Sequence, residues 1–142
     1  MDLKYYLPLL LVIISNVFYH NIAKNSPGDA NVYLSLAVSY TISMICTFLM
    51  FFLNGGKLTK AFGSLNWTSY ALGIAIMGIE FGFITMYRNG WEISSSALFA
   101  NIIVAVILLF IGMILYRERI TMRQLLGVGL CMLGLFLIKV IC

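Results

Sequence analysis

Glu80 is the residue whose type and position first demand an explanation. It stands near the middle of an apolar stretch, residues 68–87, where a charged group costs about 2.5–3.5 kcal/mol on membrane-insertion scales. Three things can offset that cost. The side chain can face a water-filled cavity, it can meet a donor such as Asn101 or Ser15, or it can keep its proton, since burial penalises the charged form. Each puts a titratable carboxylate at the depth where alternating-access transporters bind substrate and coupling ion. The plainer reading is a protonated glutamate that holds two helices together.

Other polar side chains in apolar surroundings could serve the same site. Ser15 and Asn16 lie deep enough in the first apolar stretch to line a pathway, and Tyr40 lies within the second. Asn16 and His20 are four residues apart, which places them on one face of a helix. His20 falls near a membrane edge and reads as an interfacial anchor or gate. Arg88 closes the third stretch, where it can pair with Glu92 across the turn or meet an anionic substrate. Serines and threonines such as Ser39, Thr41 and Thr47 are expected to bond back to their own helix. Tyr40, Phe81, Phe83, Tyr87 and Phe99 could wall an aromatic cavity.

Other chemistries find no footing. One histidine and three cysteines (Cys46, Cys131, Cys142) without ligand spacing give no metal centre. No nucleotide loop and no catalytic constellation is present, so neither an enzyme nor a bound cofactor is expected. The nine Lys and Arg residues are scattered singly or in pairs, with no basic face for nucleic acid.

The elements that must carry these residues follow from hydropathy. Of 142 residues 62% are hydrophobic and 10% charged, and mean hydropathy is +1.01. A soluble domain this short cannot bury so much apolar surface, so lipid is the expected solvent. Five apolar windows, 5–23, 30–53, 68–87, 95–116 and 122–141, each approach the ~20 residues that cross ~30 Å of hydrocarbon. No small-x-small cleavage site follows the first, which reads as a retained helix rather than a signal peptide. Short polar segments separate the windows, and Thr121 with Gln124 forms a capping-box pattern at the start of the last. The expectation is one all-α domain over 1–142, a polytopic transmembrane bundle of about five helices.

An odd number of spans puts the termini on opposite sides. Lys4, Lys57, Lys60, Arg117, Arg119 and Arg123 then share one side, against Lys24, Arg88 and Lys139 on the other. That excess favours a cytoplasmic amino terminus, with the inner membrane of a prokaryotic cell as the expected location. Small residues at helical spacing mark helix contacts in lipid: Gly78 and Gly82 in the third window, and Gly127, Cys131 and Gly134 in the fifth. The fifth is the expected dimer face, because a terminal helix is least surrounded by its own chain.

From Tyr116 the chain reads Tyr-Arg-Glu-Arg-Ile-Thr-Met-Arg-Gln-Leu-Leu-Gly, with a second glycine at Gly134. Glu118, Thr121, Gln124, Gly127 and Gly134 resemble the closing segment of an EamA-like repeat of the drug/metabolite transporter superfamily. The resemblance implies half of an inverted-repeat transporter, because such chains ordinarily hold two five-helix repeats of opposite orientation. A single copy then needs a second chain, either an identical one in a homodimer, possibly antiparallel, or a sister subunit. The fourth window lacks the proline often found before such a segment. Small multidrug resistance relatives carry their carboxylate in the first helix, whereas here Glu80 lies in the third. The function expected is efflux or exchange of small metabolites or amphipathic solutes, with Glu80 available for proton coupling. A lipid-linked carrier or flippase subunit and a non-transporting membrane adaptor are the competing expectations.

Overall fold

The computed structural model of the chain describes residues 3–141, with side chains throughout that range except at 3–5, 60, 135–136 and 138–141. Five long helices emerge, α1 (Leu3–Lys24), α2 (Val32–Leu53), α4 (Trp67–Arg88), α5 (Ile93–Ile114) and α6 (Met122–Ile141), with a one-turn helix α3 (Leu58–Ala61) between α2 and α4. No strand occurs among the described residues. The five apolar windows match the long helices to within two residues at every boundary.

Four of the helices, α1, α2, α4 and α5, are long and apolar enough to cross a membrane. For α6 the described apolar run is Met122–Gly134, and the remainder of its window lies largely outside the described side chains. Large apolar residues cover the outside of all five long helices. In water such a surface would be ruinous, whereas in lipid it is the ordinary exterior.

Helix ends are fixed by identifiable groups. Asn31 caps α2, its side chain accepting from the amides of Tyr33 (3.0 Å) and Leu34 (3.2 Å), and Asn66 caps α4 through the amide of Thr68. At the other end of α2, Gly55 adopts φ +74°. The Gly55 amide donates to Phe52 O (2.9 Å) and that of Gly56 to Phe51 O (3.0 Å), the paired bonds of a Schellman ending. The capping box opens α6 as the sequence anticipates. Thr121 N–H donates to Gln124 Oε1 (2.8 Å), and Gln124 N–H donates to Thr121 Oγ1 (3.4 Å).

The chain divides into two compact units, one ending at Asn89 and one beginning at Gly90. In the first, α4 packs against both α1 and α2, while α1 and α2 do not pack on each other among the described residues. Burial is confined to one end of this trio. It falls on His20 and Ala23 of α1, Leu36 of α2, and Ile84 and Tyr87 of α4. The side chains of 6–18, 41–50 and 67–79 are exposed throughout, so the three helices spread apart away from the loop that joins α1 to α2.

At that open end α3 and the 3-10 turn Phe62–Ser64 fold toward α2. There Leu58, Phe62 and Leu65 meet Phe48 and Phe51 around an apolar hollow of about 310 Å³. In the second unit α5 packs on α6. Between these two helices the chain turns with Glu118 N–H donating to Gly112 O (3.0 Å).

Candidate functional site

The absence of packing between α1 and α2 leaves a cleft backed by α4. Its volume is about 520 Å³, within the range of small-ligand sites. Tyr19 and Ile22 of α1 form one wall, Ser35, Leu36 and Ser39 of α2 the other, and Glu80 and Ile84 of α4 the floor, with Asn25, Ser26 and Pro27 closing one end. Glu80 lies a little over two helical turns from Arg88, about 12 Å along the axis at 1.5 Å per residue. It is therefore inside the span, nearer the α1–α2 loop than the opposite end.

The polar side chains of the lining share an orientation of donors. Asn21 Nδ2 donates to Val17 O (2.8 Å), Asn25 Nδ2 to Asn21 O (2.8 Å) and Ser39 Oγ to Ser35 O (3.0 Å). Each is a side chain bonding back to its own helix or helix end, which satisfies the donor locally. The hydroxyls of Tyr19 and Ser26, both at the lining, and of Tyr40 beside it are buried and complete no hydrogen bond. The Tyr40 hydroxyl lies close to the Glu80 carboxyl without completing a hydrogen bond.

The rim beside the cleft is an aromatic knot. Tyr87 Oη and His20 Nδ1 share a hydrogen bond of 2.8 Å. The His20 ring meets Phe83 edge-on at 4.7 Å and Tyr19 at 5.1 Å, and the Lys24 ammonium sits 5.7 Å from the centre of the Tyr87 ring. Arg88 Nη2 donates to Pro27 O (2.8 Å). These contacts tie the ends of α1 and α4 to the loop, so the closed end of the cleft is braced by cross-links from two directions.

The sequence candidates are placed unevenly. Glu80 lines the cleft, and Tyr40 stands next to it. Ser15 and Asn16 are exposed and belong to the spread part of α1. Although Asn16 shares a helix face with His20, α4 covers only the His20 end. His20 itself is 8% exposed and hydrogen-bonded to Tyr87, a packed residue beside the cleft near the end of α1. Arg88 directs its guanidinium to Pro27 O rather than toward a substrate, and its Nε is buried without a partner.

Asn101 is exposed on α5, in the second unit. A Cβ added at Gly78, Gly82, Gly127 or Gly134 would meet nothing within 4 Å, and Cys131 is exposed. At each of these glycines the structure leaves room for a neighbouring helix to approach. Tyr19, Asn25, Ser26 and Ser35 were not singled out by sequence. Ser35 and Ser39 did carry a signal, since two serines four apart in an apolar helix share a face.

No family model, curated protein or solved structure matches this chain. The functional reading therefore rests on the cleft itself. A carboxylate, acceptor oxygens and apolar walls can together hold an amphipathic solute bearing positive charge or hydrogen-bond donors.

Proposed function

We propose that this chain is one half of a membrane transporter for small amphipathic solutes, working by alternating access in a pair of chains, with Glu80 as the group that alternately holds solute and proton. The observation that carries the reading is the Glu80 carboxylate on the floor of a roughly 520 Å³ cleft between two helices that do not pack together. An ionisable group inside a span is costly unless it has such a setting, and in membrane proteins it commonly marks a solute or proton pathway. The EamA-like pattern of Glu118, Thr121, Gln124, Gly127 and Gly134 supports the same class. So does the spread of α1, α2 and α4, which leaves more than half of each helix in need of lipid or a partner.

Purified protein in liposomes with an imposed pH gradient tests this reading. Uptake of radiolabelled leucine, putrescine and ethidium is followed for wild type and for Glu80→Gln. The expected result is gradient-driven accumulation of at least one solute, falling to the protein-free level in Glu80→Gln while that variant elutes normally in detergent. No gradient-driven uptake of any of the three, or equal uptake by both proteins, counts against it.

One observation favours a second reading, a lipid-linked carrier or flippase subunit. The apolar walls Ile22, Leu36 and Ile84 flank a cleft whose two side helices are apart, a shape that suits an acyl chain as well as a compact solute. Accelerated loss of a fluorescent lipid from the inner leaflet, with no uptake of soluble probes, would select it.

A further inference from the structure

We propose that the cleft is selective for ammonium groups that carry N–H bonds, primary or secondary amines with a hydrocarbon body, over quaternary ammonium ions of equal charge. This rests on the reading of the cleft as a solute site and names the class of solute. Three observations carry it, beginning with charge. Glu80 is the one carboxylate of the described lining, and no lysine, arginine or histidine lines the cleft among the described residues. The nearby Arg88 guanidinium already donates to Pro27 O. An anionic solute would meet the Glu80 carboxylate, while the Lys24 ammonium rests over the Tyr87 ring at the rim rather than in the lining, which disfavours such a solute in a low-dielectric setting.

The second observation is the direction of the hydrogen bonds. Ser39 commits its single hydroxyl donor to a backbone carbonyl, and Asn21 and Asn25 each commit one amide hydrogen in the same way, which leaves the oxygen of each side chain open to a guest. The Tyr19 and Ser26 hydroxyls are buried without partners. Each of these oxygens keeps lone pairs for a guest's donor. The lining thus sets several acceptor oxygens around one carboxylate. A buried acceptor that a guest leaves unmet carries a desolvation penalty, whereas a charged donor forms the stronger class of hydrogen bond. A primary ammonium brings three N–H donors and a quaternary one brings none.

The third is the apolar remainder. Ile22, Leu36 and Ile84 supply walls for a chain or ring, and a cleft of about 520 Å³ accommodates a body of six to ten carbon atoms alongside its head group.

The experiment measures binding without transport. Wild-type protein in nanodiscs is dialysed to equilibrium against radiolabelled hexylammonium, and the uptake of protein-free discs is subtracted. Unlabelled hexylammonium, hexyltrimethylammonium and hexanol are then compared as competitors. The expected result is saturable binding, displaced by hexylammonium at about tenfold lower concentration than by hexyltrimethylammonium, with hexanol ineffective and Glu80→Gln binding nothing. Tyr19→Phe, which keeps the ring, should narrow the gap between the two cations.

Equal displacement by the two cations overturns the proposal, as does displacement by hexanol or the absence of saturable binding. The result separates from the transport reading. Selective amine binding without flux would leave this inference standing and remove transport, and flux of another solute without amine binding would do the reverse.

Discussion

At the scale of single residues, the bond between Tyr87 Oη and His20 Nδ1 is the firmest polar link in the first unit. Both partners are nearly sealed from the surroundings, at 5% and 8% exposure, and they join α4 to α1 directly. Tyr87→Phe leaves the ring and its stacking on Phe83 in place but strands an imidazole nitrogen. A loss of about 1–3 kcal/mol is expected, read from reversible unfolding in mild detergent. His20→Ala should cost more than Tyr87→Phe, because it also empties the space among Tyr19, Phe83 and Tyr87. Equal stability of Tyr87→Phe and wild type would show that the bond contributes nothing net. The sequence pointed to Glu80 because a lone carboxylate in an apolar run is anomalous wherever it lies. It could not reveal the His20–Tyr87 partnership, since spacing reports neighbours on one helix and these residues are 67 positions apart. For the same reason Ser15 and Asn16 read as pathway residues: depth was legible, but where α1 leaves α4 was not.

At the scale of elements, hydropathy placed the long helices well because a span must be apolar along its whole length, a signal that does not depend on tertiary contacts. The ends were legible where local chemistry fixes them, as the Thr121–Gln124 box shows. The α3 segment was read as a plain connection although Leu58, Ala61, Phe62 and Leu65 follow helical spacing. One turn is too short to stand out until the apolar hollow against Phe48 and Phe51 gives it a partner. Two substitutions test the ends. Asn31→Ala removes the acceptor for the Tyr33 and Leu34 amides, and should weaken the start of α2 by about 1 kcal/mol. Hydrogen exchange at those two amides should quicken about fivefold, with exchange at the far end of α2 unchanged. Gly55→Ala forces a Cβ onto a residue at φ +74° and should lower stability by about 1–2 kcal/mol. Gly28→Ala, in open space and without positive φ, should be close to neutral in the same unfolding measurement. Similar losses at the two glycines would mean that conformation at Gly55 is not the constraint.

At the scale of the whole molecule, the exposed apolar lengths of α1, α2 and α4 are surface that lipid or a second chain can cover, and the proposed pair of chains is a testable claim about which. The face of α6 is the place to test it. Gly127, Cys131 and Gly134 share one side of the helix, and a neighbouring backbone could approach there without meeting a side chain. Cys131 also falls at the middle of α6. A residue at the centre of a two-fold contact meets its own copy whether the helices run parallel or antiparallel, so its thiol reports pairing in either case. In membranes of a Cys46→Ser, Cys142→Ser background, mild oxidation should yield a disulfide-linked dimer through Cys131. It should disappear in Gly127→Leu, because a disulfide needs Cα atoms within about 7 Å and a leucine in the seam holds the backbones apart. A second pair of variants reads direction. In the Cys131→Ser protein, Gly127→Cys and Gly134→Cys should cross-link to each other when co-expressed in an antiparallel pair, and each only to itself in a parallel one. An antiparallel result pairs two oppositely oriented copies, the arrangement an inverted-repeat mechanism needs. Failure of Cys131 to cross-link, with a monomeric mass in native detergent, would remove the paired transporter from consideration and leave the cleft as a binding site on a solitary chain.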